Sequence, residues 1–160
     1  VGKNSRQGLN FFPGIRQDLS NLQKSSDIPE ALMFPQLARF TDLALLLLRL
    51  MVALVFVTSG YSHLKDPAAR AKSIEMSKGV TIFLGIAEVA GGLGVAFGVL
   101  TQLAAFGLIL IMFGAIWKKI FAWHTGFWGE KASGWHYDLM FVLMNFVIIT
   151  TGGGVYVLLH

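Results

Sequence analysis

From residue 41 onward the chain alternates long apolar runs with short polar breaks. The runs cover about 41–61, 79–100, 102–123 and 137–159. Between Leu43 and Val57 only Arg49 interrupts the first run, and Glu88 is the acidic residue inside the second. Each run is about 20 residues long, the length a helix needs to cross some 30 Å of hydrocarbon at ~1.5 Å per residue. Only helices and closed barrels satisfy the backbone in lipid, and these runs lack the period-two alternation of barrel strands. The pattern predicts an all-α, integral membrane four-helix bundle over residues 41–160.

Residues 1–40 read differently. They are polar and mixed, broken by Gly2, Gly8, Gly14, Pro13, Pro29 and Pro35, and hold no apolar run long enough for the core of a signal peptide. An extended N-terminal arm is expected, whose Leu9–Phe12 and Ala31–Phe34 segments could dip into the interface or dock on a partner subunit.

The breaks carry local signals. Asp66-Pro67 is an N-cap followed by proline at the first helical position, so a short interfacial helix is expected over 67–78. A tight turn near Thr101-Gln102 makes the second and third spans a hairpin. Thr125–Gly134, with Gly126, Gly129 and Gly134, reads as a loop, and Gly152-Gly153-Gly154 as a kink or end of the last helix.

Composition agrees with a lipid setting. Hydrophobic residues make up 54% of the chain and charged residues 14%, with a mean hydropathy of +0.62. That leaves too little polar surface to cover a soluble core. The absence of cysteine removes disulfides, thiolate metal sites and a Cys nucleophile. The net charge of +4 is spread beside the apolar runs, which suits anionic headgroups and argues against nucleic acid. Lys65, Arg70, Lys72, Lys78, Lys118, Lys119 and Lys131 fall in the two loops on the face opposite the N-terminus, the far side; the count near the spans favours that side as cytoplasmic, while Lys3, Arg6, Arg16, Lys24 and Arg39 bring the whole-arm count closer and leave the orientation open.

Arg49 and Glu88 are the chemically pointed residues of the spans, since a charge at mid-bilayer costs about 2.5–3.5 kcal/mol on insertion scales. Counting along the helices places Arg49 about 12 Å and Glu88 about 18 Å below the near face, a gap a guanidinium can bridge. Two readings stand: a buried ion pair that fixes packing, or a polar anchor for a substrate headgroup or proton. Gly85, Gly91, Gly92, Gly94 and Gly98 around Glu88 read as close helix packing.

A second constellation gathers on the far side. His63 closes the first span, His124 the third, and His136 and Asp138 open the fourth, with Asn145 seven residues below Asp138. Trp117, Trp123, Trp128 and Trp135 lie at the same level, as an interfacial aromatic belt would. No two of these histidines share i, i+3 or i+4 spacing on one helix, which disfavours a metal or haem. Aromatic walls, His and a buried charge are ingredients of a quinone or substrate-binding site formed by Arg49, Glu88, His63, His124, His136, Asp138 and Asn145. Phosphate loops, dinucleotide fingerprints, nucleophile elbows and His-Glu-x-x-His are missing, so no catalytic residue is assigned and no complete enzyme is expected on this chain alone.

The chain resembles the DoxX family of small four-helix membrane proteins over residues 45–160. The likeness rests on Arg49, the run Gly60-Tyr61-Ser62-His63-Leu64-Lys65-Asp66-Pro67, Glu88 with Gly91-Gly92, and Gly98-Val99-Leu100-Thr101. It continues through Met112, Ala115, His124 and the final glycine cluster. The family often has Lys where His63 stands and Gly-Pro-Gly where this chain reads Gly152-Gly153-Gly154, which puts any lysine-dependent role in doubt. The resemblance implies a bacterial or archaeal cytoplasmic-membrane protein. It also implies an accessory subunit of a membrane-bound, quinone-linked redox complex, as in thiosulfate:quinone oxidoreductase or terminal oxidase assemblies. A purely structural assembly subunit, and a small-molecule transporter after it, are the alternatives.

Overall fold

A computed structural model describes residues 34–129 and 134–158. The arm expected over residues 1–40 lies outside the described residues, docking segments included, apart from its last few positions. A 3-10 helix at Pro35–Phe40 leads directly into α1, Thr41–Lys65. Then come α2 (Pro67–Ser73), α3 (Lys78–Phe97), α4 (Thr101–Phe121) and α5 (His136–Thr151).

The polar breaks act largely as read. Asp66 Oδ1 accepts from the Ala69 N–H at 3.0 Å and Pro67 opens α2, which ends at Ser73, earlier than expected. Ser77 caps α3. Gly98, left-handed at φ 69°, and Leu100, φ 47°, make the turn into α4, so the hairpin lies at 98–100, just before Thr101-Gln102.

α1, α3 and α4 are long and apolar enough to cross a membrane. The fourth span departs from expectation. α5 has 16 residues and stops at Thr151, not 159. Gly152, Gly153 and Gly154 all take positive φ, of 68°, 87° and 84°, and end the helix. At ~1.5 Å per residue α5 covers about 24 Å, short of the ~30 Å of hydrocarbon. The tail beyond it folds back: the Leu158 N–H donates to Phe97 O at 3.2 Å, and the Val155 N–H to Asp42 Oδ1 at 3.2 Å.

α1 packs most extensively on α3, α4 on α5, and α3 also on α4. The α1–α3 contact is antiparallel and close. A Cβ at Gly60 would stand 2.6 Å from Gly85 O, and one at Gly92 3.3 Å from Ala53 O. Val52, Phe56, Val95, Leu108, Ile109, Val142 and Ile148 form the apolar core. The outward faces are apolar as well: Leu47, Leu54, Phe83, Ile86, Leu103 and Leu110 are exposed. A bundle greasy on both its inside and its outside is solvated by lipid.

Candidate functional site

Arg49 is fully buried and donates to main-chain carbonyls. Nε donates to Val95 O at 2.8 Å and Nη2 to Ala96 O at 2.9 Å. Nη1 donates to Gly153 O at 3.2 Å and Tyr156 O at 2.6 Å. The carbonyls of the last turn of a helix have no intrahelical donor and carry the negative end of its dipole, so a guanidinium is well matched to the end of α3. Arg49 thereby ties the C-terminal end of α3 to the tail after α5.

This arrangement separates Arg49 from Glu88, the pairing that depth-counting had allowed. The packing register sets Arg49 level with Val95–Gly98, and Glu88 level with Gly60. The eight residues from Glu88 to Ala96 span about 12 Å. Depth-counting gave about 6 Å because it placed Thr41 level with the turn after α3. In the structure the first turns of α1 extend past that turn and are covered by the tail at Asp42 and Leu45.

Glu88 faces His63 instead. His63 Nε2 lies 3.7 Å from Glu88 Oε1, with both side chains under a tenth exposed. Arg49, Gly60 and His63 are 11 and 14 residues apart, a spacing that puts them on one helix face, and with Val52 and Phe56 they form the buried stripe of α1, which holds two separate polar sites. The Ser59 hydroxyl is within hydrogen-bonding reach of the Glu88 carboxyl, and the Arg70 guanidinium on α2 acts on both His63 and Glu88 through its charge. Three buried polar atoms here have no hydrogen-bond partner: His63 Nδ1, Glu88 Oε2 and Arg70 Nε. An orphaned buried polar atom costs about 1–3 kcal/mol, so their concentration in one place marks a site with capacity left for a polar ligand.

The other far-side candidates do not join this cluster. Asp138 pairs with Lys119, Oδ2 to Nζ at 2.6 Å, and so holds α5 to α4. His136 Nδ1 is 2.8 Å from Phe127 O, and its ring lies among Phe127, Trp128 and Tyr137. His124 is exposed with φ 49°. Asn145 is fully buried, its Nδ2 donating to Phe141 O at 2.8 Å within its own helix. Trp117 and Trp128 are exposed, Trp135 packs on Phe127, and Trp123 Nε1 donates to Glu75 Oε2 at 3.1 Å. Among the described residues no three His, Asp or Glu side chains gather as metal ligands do.

Ser59, Arg70, Lys119 and Glu75 escaped the sequence reading. Ser59 and His63 are four apart and share a helix edge with Gly60, a signal that was present. Arg70 and Lys119 read as ordinary flanking cations, and only the turn at Asp66 brings Arg70 back over the end of α1.

The sequence model of one family, DoxX, matches residues 44–125, just over half of the chain. No curated protein and no solved structure gives a significant match. The match takes in Arg49, the turn at Asp66, His63 with Glu88, and the α3–α4 hairpin, and with three helices fit to cross a bilayer it makes this chain a membrane protein of the DoxX family.

Proposed function

We propose that this protein is an accessory subunit of a quinone-linked redox complex in a bacterial or archaeal cytoplasmic membrane, and that the His63–Glu88 pair meets the quinone head. The observation that carries this is that two buried side chains facing each other between α1 and α3 each keep an unsatisfied atom, His63 Nδ1 and Glu88 Oε2. A quinone supplies two-electron, two-proton chemistry and presents carbonyl or hydroxyl oxygens, which suit an imidazole and a carboxyl with hydrogen-bonding capacity to spare. Both side chains take up and release protons, with the Ser59 hydroxyl and the Arg70 charge nearby. The apolar outer faces of α1 and α3 leave the approach from lipid open to an isoprenoid tail. In such an assembly electrons would enter and leave through partner subunits.

The test is purification of the tagged full chain from native membranes in mild detergent, with mass spectrometry of bound proteins. Redox subunits are expected in fixed ratio, and quinone-linked turnover of that assembly should fall about tenfold or more in Glu88→Gln and His63→Gln. Recovery of the protein alone or as a homo-oligomer, or full turnover in both folded variants, overturns the proposal.

A further inference from the structure

The elbow between α1 and α2 holds a second, separate feature. At Asp66 the chain turns with φ −140° and ψ 82°, which lays the last turn of α1 against one face of α2. Between them runs an open groove of about 660 Å³, lined by Tyr61, Ser62 and Lys65 from α1 and by Arg70 and Ser73 from α2, with Asp66 at the bend. Neither His63 nor Glu88 lines it.

The lining has a definite chemistry. Lys65 and Arg70 make no ion pair among the described residues, and Arg70 Nε is covered from solvent yet has no acceptor. The one carboxylate present, Asp66, is turned to the α2 N-terminus, where Oδ1 accepts the Ala69 N–H. Two cations and two serine hydroxyls facing one groove are donors converging on an oxyanion, and a guanidinium with an ammonium is a favoured combination for phosphate. The groove also sits where α1 ends, beside the exposed Tyr61 ring, at the level where a span meets headgroups.

We infer that the α1–α2 elbow is a phosphate-binding site, and that the ligand is the headgroup phosphate of an anionic phospholipid. The site binds the non-bridging phosphate oxygens through Arg70 and Lys65, with Ser62 and Ser73 as hydroxyl donors, while the acyl chains lie along the outer face of α1. The groove shares Arg70 with the His63–Glu88 site, and Lys65 and Ser73, which take no part there, keep its test distinct from that of the quinone proposal.

Native mass spectrometry of the delipidated full chain in detergent, titrated with phosphatidylglycerol or phosphatidylcholine, tests it. Phosphatidylglycerol should be retained in preference, and Lys65→Gln and Arg70→Gln should each weaken that retention about fivefold. Lys72→Gln, a charge loss on the same short helix but outside the groove, should leave it unchanged. Millimolar inorganic phosphate separates the sources: retention that survives it assigns the site to lipid, and displacement leaves a phosphate site whose ligand is the free anion, overturning the lipid assignment. Equal retention of the two lipids, an unaltered Lys65→Gln, or an equal loss in Lys72→Gln overturns the site. Unchanged helicity and melting of Lys65→Gln establish that the readout is binding and not folding.

Discussion

The backbone of Gly98 passes so close to Arg49 that a Cβ on the glycine would stand 2.6 Å from Nη2. The left-handed turn that ends α3 and the buried guanidinium therefore share one space, and the absence of a side chain at 98 is a condition for the cation above it. Val157 closes the same space from the tail, 2.6 Å from that virtual Cβ at its Cα.

Gly98→Ala tests this directly. The left-handed backbone alone costs an L-residue about 1–2 kcal/mol, and the methyl would also displace Arg49 or the tail. A loss of about 2–4 kcal/mol is expected in denaturant or thermal unfolding in detergent. Gly107→Ala on α4, where a Cβ meets nothing within 4 Å, should be neutral or slightly stabilising. Equal effects of the two would mean that the crowding at Gly98 is relieved at no cost.

Arg49→Lys should not rescue the fold to wild type. Four carbonyls from two segments are met by one planar, five-donor group, whereas an ammonium offers three donors from a single point. At least one buried carbonyl is left unpaired, at about 1–3 kcal/mol. Hydrogen exchange should report where: the amides of Val155 and Leu158, which bond Asp42 and Phe97, should exchange faster, while those around Glu88 stay protected. Uniform acceleration across α1 and α3 would instead give Arg49 a role in the whole bundle.

The two halves of the molecule differed in how much the sequence disclosed. The spans were legible because apolar run length is a local property, and Asp66-Pro67 announces its helix within four residues. α5 was overdrawn because Val155, Tyr156, Val157 and Leu158 continue an apolar run even though three glycines have already ended the helix. Which residues share the buried face of α1 followed from helical spacing alone. The partners of Arg49 and Glu88 did not, since they depend on how far α1 slides along α3. That register is set by the Gly60–Gly85 contact, a property of two segments 25 residues apart.

The Lys119–Asp138 contact is the polar link between α4 and α5 at the far side, with side chains only 20% and 13% exposed. Partial burial gives it more weight than a surface pair, at about 1–2 kcal/mol. Asp138→Asn and Lys119→Gln should each destabilise by roughly that amount, and the double variant by less than their sum. Strict additivity in the cycle would show that the 2.6 Å approach contributes nothing measurable.

A Cβ at Gly60 would meet Gly85 O at 2.6 Å, Val89 Cγ2 at 2.8 Å and Glu88 Cβ at 3.0 Å, and the first of these is backbone that no rotamer change can move. Gly60→Ala must therefore push α1 away from α3 at the very level where His63 and Glu88 face each other. Overpacking of this kind costs about 1–3 kcal/mol, and a displacement of even 1 Å at a binding site can lower turnover by about two orders of magnitude. Gly60→Ala should thus lose both melting temperature and quinone-linked turnover in the folded fraction, whereas Glu88→Gln should lose turnover with the bundle intact. Gly79→Ala, near the start of α3 with open space around it, should lose neither. If Gly60→Ala melts early but its folded fraction turns over normally, the α1–α3 contact serves stability alone and the His63–Glu88 pair is not the site of quinone chemistry.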